Sequence, residues 1–539
     1  MRRAAVFFSL ALILAGARGL AAAPLTDADV ASLADATRQA ETLARIDAQP
    51  TVEWRPFLQA LKEGALYKYQ DRFYVLSADG ALKDTGGSPL LSPAGEPLIP
   101  DSGLDSVVLA AENVAIVQSL VDRIDLVGAD PERRKEVVIQ LGNSGEPRAV
   151  ALLEEALGRE RDGGVRAVIV EAVAKTKLQH PDTAVRLQAV ELFADNRSEA
   201  GLGLLRTLAS SDPDPALREA AARGVTRIES YLRWRNFIGY VFNGLSLASV
   251  LLIMSLGLSV TFGLMGIINM AHGEMLMIGC YTAYVMQELF AKRWPEHQDY
   301  YFVAALPLSV LVAGAVGLLL ERGLLRRLYG RPLETLLVTF GLGMVLQQSA
   351  RLYFGDQTSV NPPSWFRGGL EVMPGLVFPY SRLFIIVLSL TCLGSVYFIL
   401  YRSSVGMRVR AVMQNRGMAA CLGVSTRWVD ALTFAFGTAL AGLGGCAIAL
   451  IGTVEPELGK KYVVDSFMVV VLGGVGNVFG TVLAALGIGM AGKLLEPAIP
   501  GTAAAVYAKV AILALVILFL QWKPTGIFAA KGRAAEALR

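Results

Sequence analysis

Cysteine and histidine are scarce. The 539 residues hold four cysteines (Cys280, Cys392, Cys421, Cys446) and three histidines (His180, His272, His297). No cysteine precedes residue 280, so the first half of the chain contains no disulfide in any compartment. There is no CxxC pair and the histidines are far apart, which removes the ligand spacing a zinc centre requires. HExxH and GxSxG are also absent, and with them the common zinc-hydrolase and serine-hydrolase arrangements. Charge is scarce too, at 18% of residues against 53% apolar, and a net charge of +3 gives no basic footprint for nucleic acid.

The charge deficit is uneven. Ionisable residues are dense from about 26 to 235 and sparse afterwards, which divides the chain into two chemical halves. Residues 1–23 begin with Arg2 and Arg3, continue with the apolar run Ala4–Ala17, and end on small residues at Gly19, Ala21 and Ala23. That is the pattern of a secretory signal, too short for a comfortable membrane span. The expectation is a signal segment at 1–23 and a periplasmic, mainly helical domain at 24–235. Within it, 66–82 alternates aromatic and branched residues around a polar Asp-Gly, as in a hairpin. From about 105 onward the pattern is helical and repeats. Arg134 and Arg186 are separated by the same interval as Arg166 and Arg218, and each opens a short amphipathic helix. Stacked helix pairs of this kind resemble HEAT repeats; an ordinary helical bundle is the alternative.

The second half contains apolar stretches near 238–264, 267–290, 302–320, 333–354, 383–401, 429–452, 464–493 and 503–521. Most match the roughly 20 residues of a span. The fold class is therefore an all-α polytopic membrane protein, spanning 236–528, with about eight hydrophobic segments and a cytoplasmic tail at 529–539. Arginines crowd the loops around 322–331 and 402–427, and lysines follow the last span, so these loops belong on the cytoplasmic side. Eight simple crossings would leave the C-terminus on the wrong side. Gly473-Gly474-Val475-Gly476-Asn477 supplies the remedy: it breaks 464–493 into a hairpin or re-entrant pair.

Two segments carry functional signal. In the first, Asn269, His272 and Glu274 are polar groups within an apolar stretch. Such residues mark either a solute route or a hydrogen-bonded helix lock. The second is 403–425, with the pattern Gly406-x-Arg408-x-Arg410-Ala411, then Asn415, Ala420 and Gly423. Val409, Val412, Met413 and Met418 make an apolar stripe suited to docking on a cytoplasmic partner, or else to lying on lipid. The string Gly487–Lys493 imitates a phosphate-binding loop, but Leu494 stands where a Ser or Thr must hold magnesium.

The runs Ile268-Asn269-Met270-Ala271-His272-Gly273-Glu274, the arginine loop just described, and residues 467–481 together resemble the permeases of branched-chain amino acid ABC importers (LivH-like). Among these the chain is most like the urea-importer permeases, because of its secreted front domain. The resemblance implies a multi-pass permease of the bacterial inner membrane with no cofactor and no catalytic residue. It implies a second related permease subunit, two ATPase subunits on the cytoplasmic side and a periplasmic substrate-binding protein as partners. Residues 403–425 would be the coupling loop. Asn269, His272, Glu274 and Asn477 would line a route for urea, or alternatively for branched-chain amino acids or short amides. A secondary transporter is the rival class, and would carry its own buried acids; Glu274 and Asp465 are the candidates.

Overall fold

The computed structural model describes residues 31–528 apart from 34–37, 49–53, 70–71, 78–80, 84–88, 91–97, 99–103, 145–146, 267–268 and 330. The expected signal segment and the tail at 529–539 lie outside the described residues. The chain forms two compact units, Met1–Leu232 and Arg233–Arg539.

In the front unit, α1 (Gln39–Ala48) and α2 (Arg55–Glu63) precede a small antiparallel sheet of β1 (Leu66–Tyr69), β2 (Arg72–Leu76), β3 (Leu82–Lys83) and β4 (Asp105–Ser106), in the order β3-β2-β1-β4. β1 pairs with β2, with Tyr69 opposite Arg72. β2 also pairs antiparallel with β3, Val75 opposite Lys83 and Leu76 opposite Leu82, which is the hairpin expected from the sequence at 66–82. Six helices follow: α3 (Val114–Val127), α4 (Pro131–Ser144), α5 (Pro147–Arg159), α6 (Gly163–Lys177), α7 (Thr183–Asn196) and α8 (Gly201–Ser211). Asp162 and Asp182 cap α6 and α7, accepting from the Gly164 and Ala184 backbone N–H groups. The repeated arginines have a structural reason. Arg134 pairs with Glu160 at 2.8 Å and Arg186 pairs with Asp212, each across 26 positions. Arg134 also donates to the Gly128 and Ala129 carbonyls, and Arg218 does the same to those of Asp212 and Pro213. One linkage is thus used twice along the helical series.

Burial works to raise the Glu160 pKa, but hydrogen bonds from Arg134 and from the Asp162 and Arg161 backbones outweigh it and hold the carboxyl below its ordinary value. A depressed folded-state value stabilises above the unfolded carboxyl pKa, about 4.3, and that stabilisation is lost as pH falls through the lower folded value. Protection factors of backbone amides in α4 and α5 of the full chain, corrected for the intrinsic pH dependence of exchange, are therefore expected to fall between pH 5 and pH 3. Unchanged protection would show that the Arg134–Glu160 pair contributes nothing.

The second unit is helical. α9 (Pro215–Met265) supplies its first apolar helix, followed by α10 (His272–Arg293), α11 (Tyr301–Gly323), α12 (Pro332–Phe354) and α13 (Tyr380–Tyr397). Next come two short helices, α14 (Ser404–Gln414) and α15 (Arg416–Cys421). They lead to α16 (Thr426–Ile448), α17 (Leu458–Gly473), α18 (Val478–Leu495) and α19 (Ala504–Trp522). Among the described residues six helices are long and apolar enough to cross a membrane: α9, α11, α13, α16, α18 and α19. Three of the stretches expected from the sequence depart from simple spans. α10 contains His272 and Glu274, and Gly266 and Asn269–Ala271 before it are outside helix. α12 carries Glu334 near its start and Arg351 near its end. α17 has 16 residues, about 24 Å of helix.

The break expected in 464–493 is present. Gly474 and Gly476 take φ of +98° and +77°, values that a side chain disfavours, and Asn477 caps α18 by accepting from Phe479 and Gly480. α17 and α18 therefore form a hairpin. Its turn shares one end of the unit with the arginine-bearing loops: Met413 touches Gly476 and Gly263, and Leu325 packs with Val409 and Val412. Residues 526–528 reach the same place, where Ile527 and Phe528 donate to the Leu472 and Gly473 carbonyls. The opposite end is built by the β6–β7 hairpin (Gly369–Met373, Leu376–Pro379), by β5 (Thr358–Ser359) on β8 (Thr453–Val454), and by Tyr301 and Gln287 bound to Asn361. Helix packing is close because glycines meet backbone to backbone. Gly257 faces Gly437, Gly273 faces Gly459, and Gly445 sits on the Leu276 carbonyl.

Candidate functional site

Three places concentrate polar groups inside the apolar unit. The first is the start of α10. Asn269, His272 and Glu274 are all buried. Asn269 accepts from the Ala271 N–H, the His272 Nε2 lies 3.2 Å from the Met254 carbonyl halfway along the apolar part of α9, and Glu274 Oε1 accepts from Gln347 at 2.6 Å. Thr339 accepts from the Met270 N–H. The structure thus brings together three of the four route residues expected from the sequence, and adds Thr339 and Gln347 of α12. Asn477 is not among them. It caps α18 at the turn beside Gly476, the neighbour of Met413. The His272 Nδ1 and Glu274 Oε2 atoms have no hydrogen-bond partner among the described residues. Buried atoms in that state are costly unless something meets them. Glu274→Ala is expected to reduce solute uptake several-fold while membrane abundance falls by less than half. Parallel losses, read by uptake against immunoblot, would make the cluster a structural lock.

The second place is the arginine loop. Ser403 caps α14, accepting from Gly406, and Asn415 caps α15, accepting from Met418. Gly406 lies so close to the Ile399 and Leu400 carbonyls that a Cβ would collide, and Gly423 at φ +82° ends α15. The Gly-Arg-Arg-Asn-Gly spacing therefore has a local mechanical explanation. The apolar stripe is arranged differently from the sequence expectation. Val409 and Val412 are buried against Leu325, Ala419 and Phe434 of the unit itself, so that face is an anchor. The outward face is Val405, Met407, Met418 and Leu422, the last of these 78% exposed. The two arginines also separate. Arg408 is exposed, whereas Arg410 turns inward, its guanidinium 5.5 Å from the Tyr401 ring, beside Ser259 and Gln414 in a cavity of about 160 Å³. Ala411 is half-buried and Ala420 exposed.

An ion pair absent from the sequence reading fixes the loop. Arg416 meets Asp430 of α16 at 2.6 Å, with Asp430 fully buried. Arg416 also lies over the Tyr329 ring, and the Tyr329 hydroxyl donates to Glu321 at the end of α11. Burial and that hydrogen bond hold the Tyr329 phenol well above its ordinary pKa. The signal was available: Asp430 is an acid just inside the apolar stretch 429–452.

The third place is a cavity of about 500 Å³ between α9, α13, α17, α18 and α19, reaching the loop 449–457. Four basic and three acidic residues line it: Arg382, Lys461, Lys493 and Lys509 with Glu455, Asp465 and Glu496. Lys461–Glu455, Lys493–Glu496 and Lys509–Asp465 are ion pairs. Arg382 has no carboxylate partner among the described residues and donates to Asn243. Of this set, only Asp465 stood out from the sequence. The phosphate-loop lookalike at 487–493 is continuous helix within α18, which leaves no loop to wrap a phosphate.

Residues 240–520 match the family described as branched-chain amino acid transport system / permease component. The chain is 30% identical over 297 residues to the high-affinity branched-chain amino acid transport system permease protein BraD of Pseudomonas aeruginosa, covering 54% of this chain and 95% of that one. The same figures hold for LivH of Escherichia coli. LivM of Escherichia coli is 27% identical over 312 residues, covering 52% of this chain and 68% of its own length. No solved structure matches the chain. The front unit, which ends at Leu232, lies wholly outside the residues that the family model covers. With polar clusters embedded in an apolar helical unit, and with the family match spanning that unit, this chain belongs to the branched-chain amino acid transport permease family, the membrane-spanning and non-catalytic subunits of ABC transporters.

Proposed function

We propose that this chain is one of two related permease subunits of an ATP-driven importer in a bacterial inner membrane, and that residues 403–425 dock it onto a cytoplasmic ATPase. The observation that carries the reading is the two-faced loop. One face is anchored by Val409, Val412 and the Arg416–Asp430 pair, and the other presents Met407, Met418, Leu422 and Arg408 outward. A connecting loop has no use for an exposed apolar ridge on a rigid base; a docking element does. The arginine-bearing loops, the α17–α18 turn and Lys523 share one end, which the positive-inside rule makes cytoplasmic. The front helical series then faces the periplasm, where its repeated linkages support a HEAT-like stack open to a partner such as the substrate-binding protein. A second permease and two ATPase subunits complete the assembly.

The cargo is a small polar solute. Urea follows from the likeness of the front domain to that of urea-importer permeases, and Asn269, His272, Glu274 and Gln347 offer hydrogen-bonding groups for it. Branched-chain amino acids or short amides are the second reading, favoured by the named transport systems of BraD, LivH and LivM. Affinity purification of the tagged chain should recover ATPase subunits, and deleting the chain should abolish energised uptake of labelled urea or labelled leucine. A chain purified without ATPase, and driving uptake from an ion gradient alone, would make it a secondary transporter.

A further inference from the structure

We infer that the end of the membrane unit bearing the arginine loop holds one anionic phospholipid, its phosphate on Arg410 and an acyl chain in the apolar groove between the exit of α13 and α16. The inference needs the unit to lie in a bilayer with this end at the cytoplasmic interface. It needs neither a particular cargo nor a docked ATPase.

Two cavities lie side by side there and share Val260, Leu400 and Val409. The smaller, about 160 Å³, holds the Arg410 guanidinium with Ser259, Tyr401 and Gln414. Arg410 Nη1 is buried with no hydrogen-bond partner among the described residues. The Tyr401 ring, 5.5 Å away, attracts the cation without satisfying that donor. A buried donor left in this state is costly, and an anion in the cavity removes the cost. The larger cavity, about 650 Å³, is walled by Leu400, Trp428, Leu432 and Phe436, with Arg408 also in its lining.

This combination selects the ligand. Among the described residues no acid lines either cavity, and Asp430, the acid nearest in sequence, is engaged with Arg416. Two guanidinium groups without a carboxylate suit a phosphate of net negative charge and give an ammonium headgroup nothing to bind. The adjoining groove suits a hydrocarbon chain, and free phosphate would leave it uncovered. Position agrees with chemistry. Tyr397 and Tyr401, their rings 5.1 Å apart, and Trp428 are exposed at this end. Such rings gather at headgroup level, and basic pockets between membrane helices on the cytoplasmic side seat anionic headgroups. The lipid would complete the base of the arginine loop, since α14 turns Val409 and Arg410 inward and Met407 outward.

The test uses the purified full chain in phosphatidylcholine nanodiscs. These are doped with phosphatidylglycerol carrying a photoreactive group in its acyl chain, or with phosphatidylcholine carrying the same group. The phosphatidylglycerol probe is expected to cross-link within residues 399–436, and the phosphatidylcholine probe several-fold less. Arg410→Gln should lower the phosphatidylglycerol yield about tenfold, the loss of one hydrogen bond to a charged group. Arg408→Gln should lower it by less. Arg326→Gln, exposed in the other arginine loop, removes the same charge and should leave the yield unchanged. Mapping the cross-link on the parent needs no variant, so the inference remains testable if Arg410→Gln fails to fold. Cross-links confined to other residues, equal labelling by the two lipids, or equal losses from Arg410→Gln and Arg326→Gln overturn it. So does displacement of the phosphatidylglycerol probe by millimolar inorganic phosphate, which would make the cavity a site for a free anion. ATPase co-purification reports separately on the importer reading.

Discussion

Gly445→Val should abolish folding of the membrane unit. A Cβ at that position would collide with the Leu276 carbonyl and crowd the Cys280 backbone, and neither is the free end of a flexible side chain. α10 and α16 would have to part, and with them the Cys280–Gly445 contact at 3.0 Å and the cluster of Met277, Cys280, Tyr281, Cys446 and Ala447. Forced overpacking costs about 1–3 kcal/mol where side chains give way, and more where backbones must separate. In a membrane, close helix approach is itself a main source of association, so little remains to compensate. The expected readout is loss of the monodisperse detergent-solubilised species and at least a tenfold drop in steady-state protein. Gly487→Val, on α18 with open space at its Cβ, is the control and should be tolerated. Normal yield of the Gly445 variant would show that α10 and α16 do not pack as described.

Met418→Glu combined with Leu422→Glu should abolish energised uptake, by at least tenfold, and leave the permease folded. Both side chains are exposed on the short helix α15 and its exit, outside the anchor formed by Val409, Val412 and Phe434. Two carboxylates there remove the apolar ridge and set like charge against any acidic groove. Arg408→Glu should weaken uptake in the same direction by less. Arg410→Glu acts inside the unit, beside Tyr401 and Gln414, and should lower protein yield as well. ATPase co-purification and uptake, measured on the same preparations, check all three. If the double variant keeps both, the docking face is elsewhere.

Much of the membrane unit was legible because its determinants are local in sequence. Hydrophobic length located the helices, and the Gly-Gly-Val-Gly-Asn string marked the hairpin turn by chemistry that only glycine and a capping asparagine supply together. The hairpin expected around Asp79-Gly80 is the β2–β3 pair, whereas the pairing of β1 with β2, Tyr69 opposite Arg72, carries no comparable turn signal in the sequence. The Asn269–His272–Glu274 cluster was visible as polarity out of place. Its partners Thr339 and Gln347 lie about seventy positions away, and that closeness exists only after α12 packs on α10. Arg416–Asp430 and the charged cavity were missed for the same reason. Each ion there looks like an ordinary helix-end charge until helices distant in sequence converge. Of the expected stripe, Val409, Val412 and Met413 turn to the parent unit and Met418 turns outward, because an amphipathic helix at a boundary has two candidate faces and periodicity alone does not say which is buried.

The backbone bonds from Ile527 and Phe528 to the carbonyls of Leu472 and Gly473 stitch the exit of α19 to the elbow between α17 and α18. Three helices are thereby tied into a closed handle that shares its grip with Met413 of the arginine loop. A push delivered at that grip would load the whole handle rather than a single rod, and the far ends of the same three helices line the charged cavity.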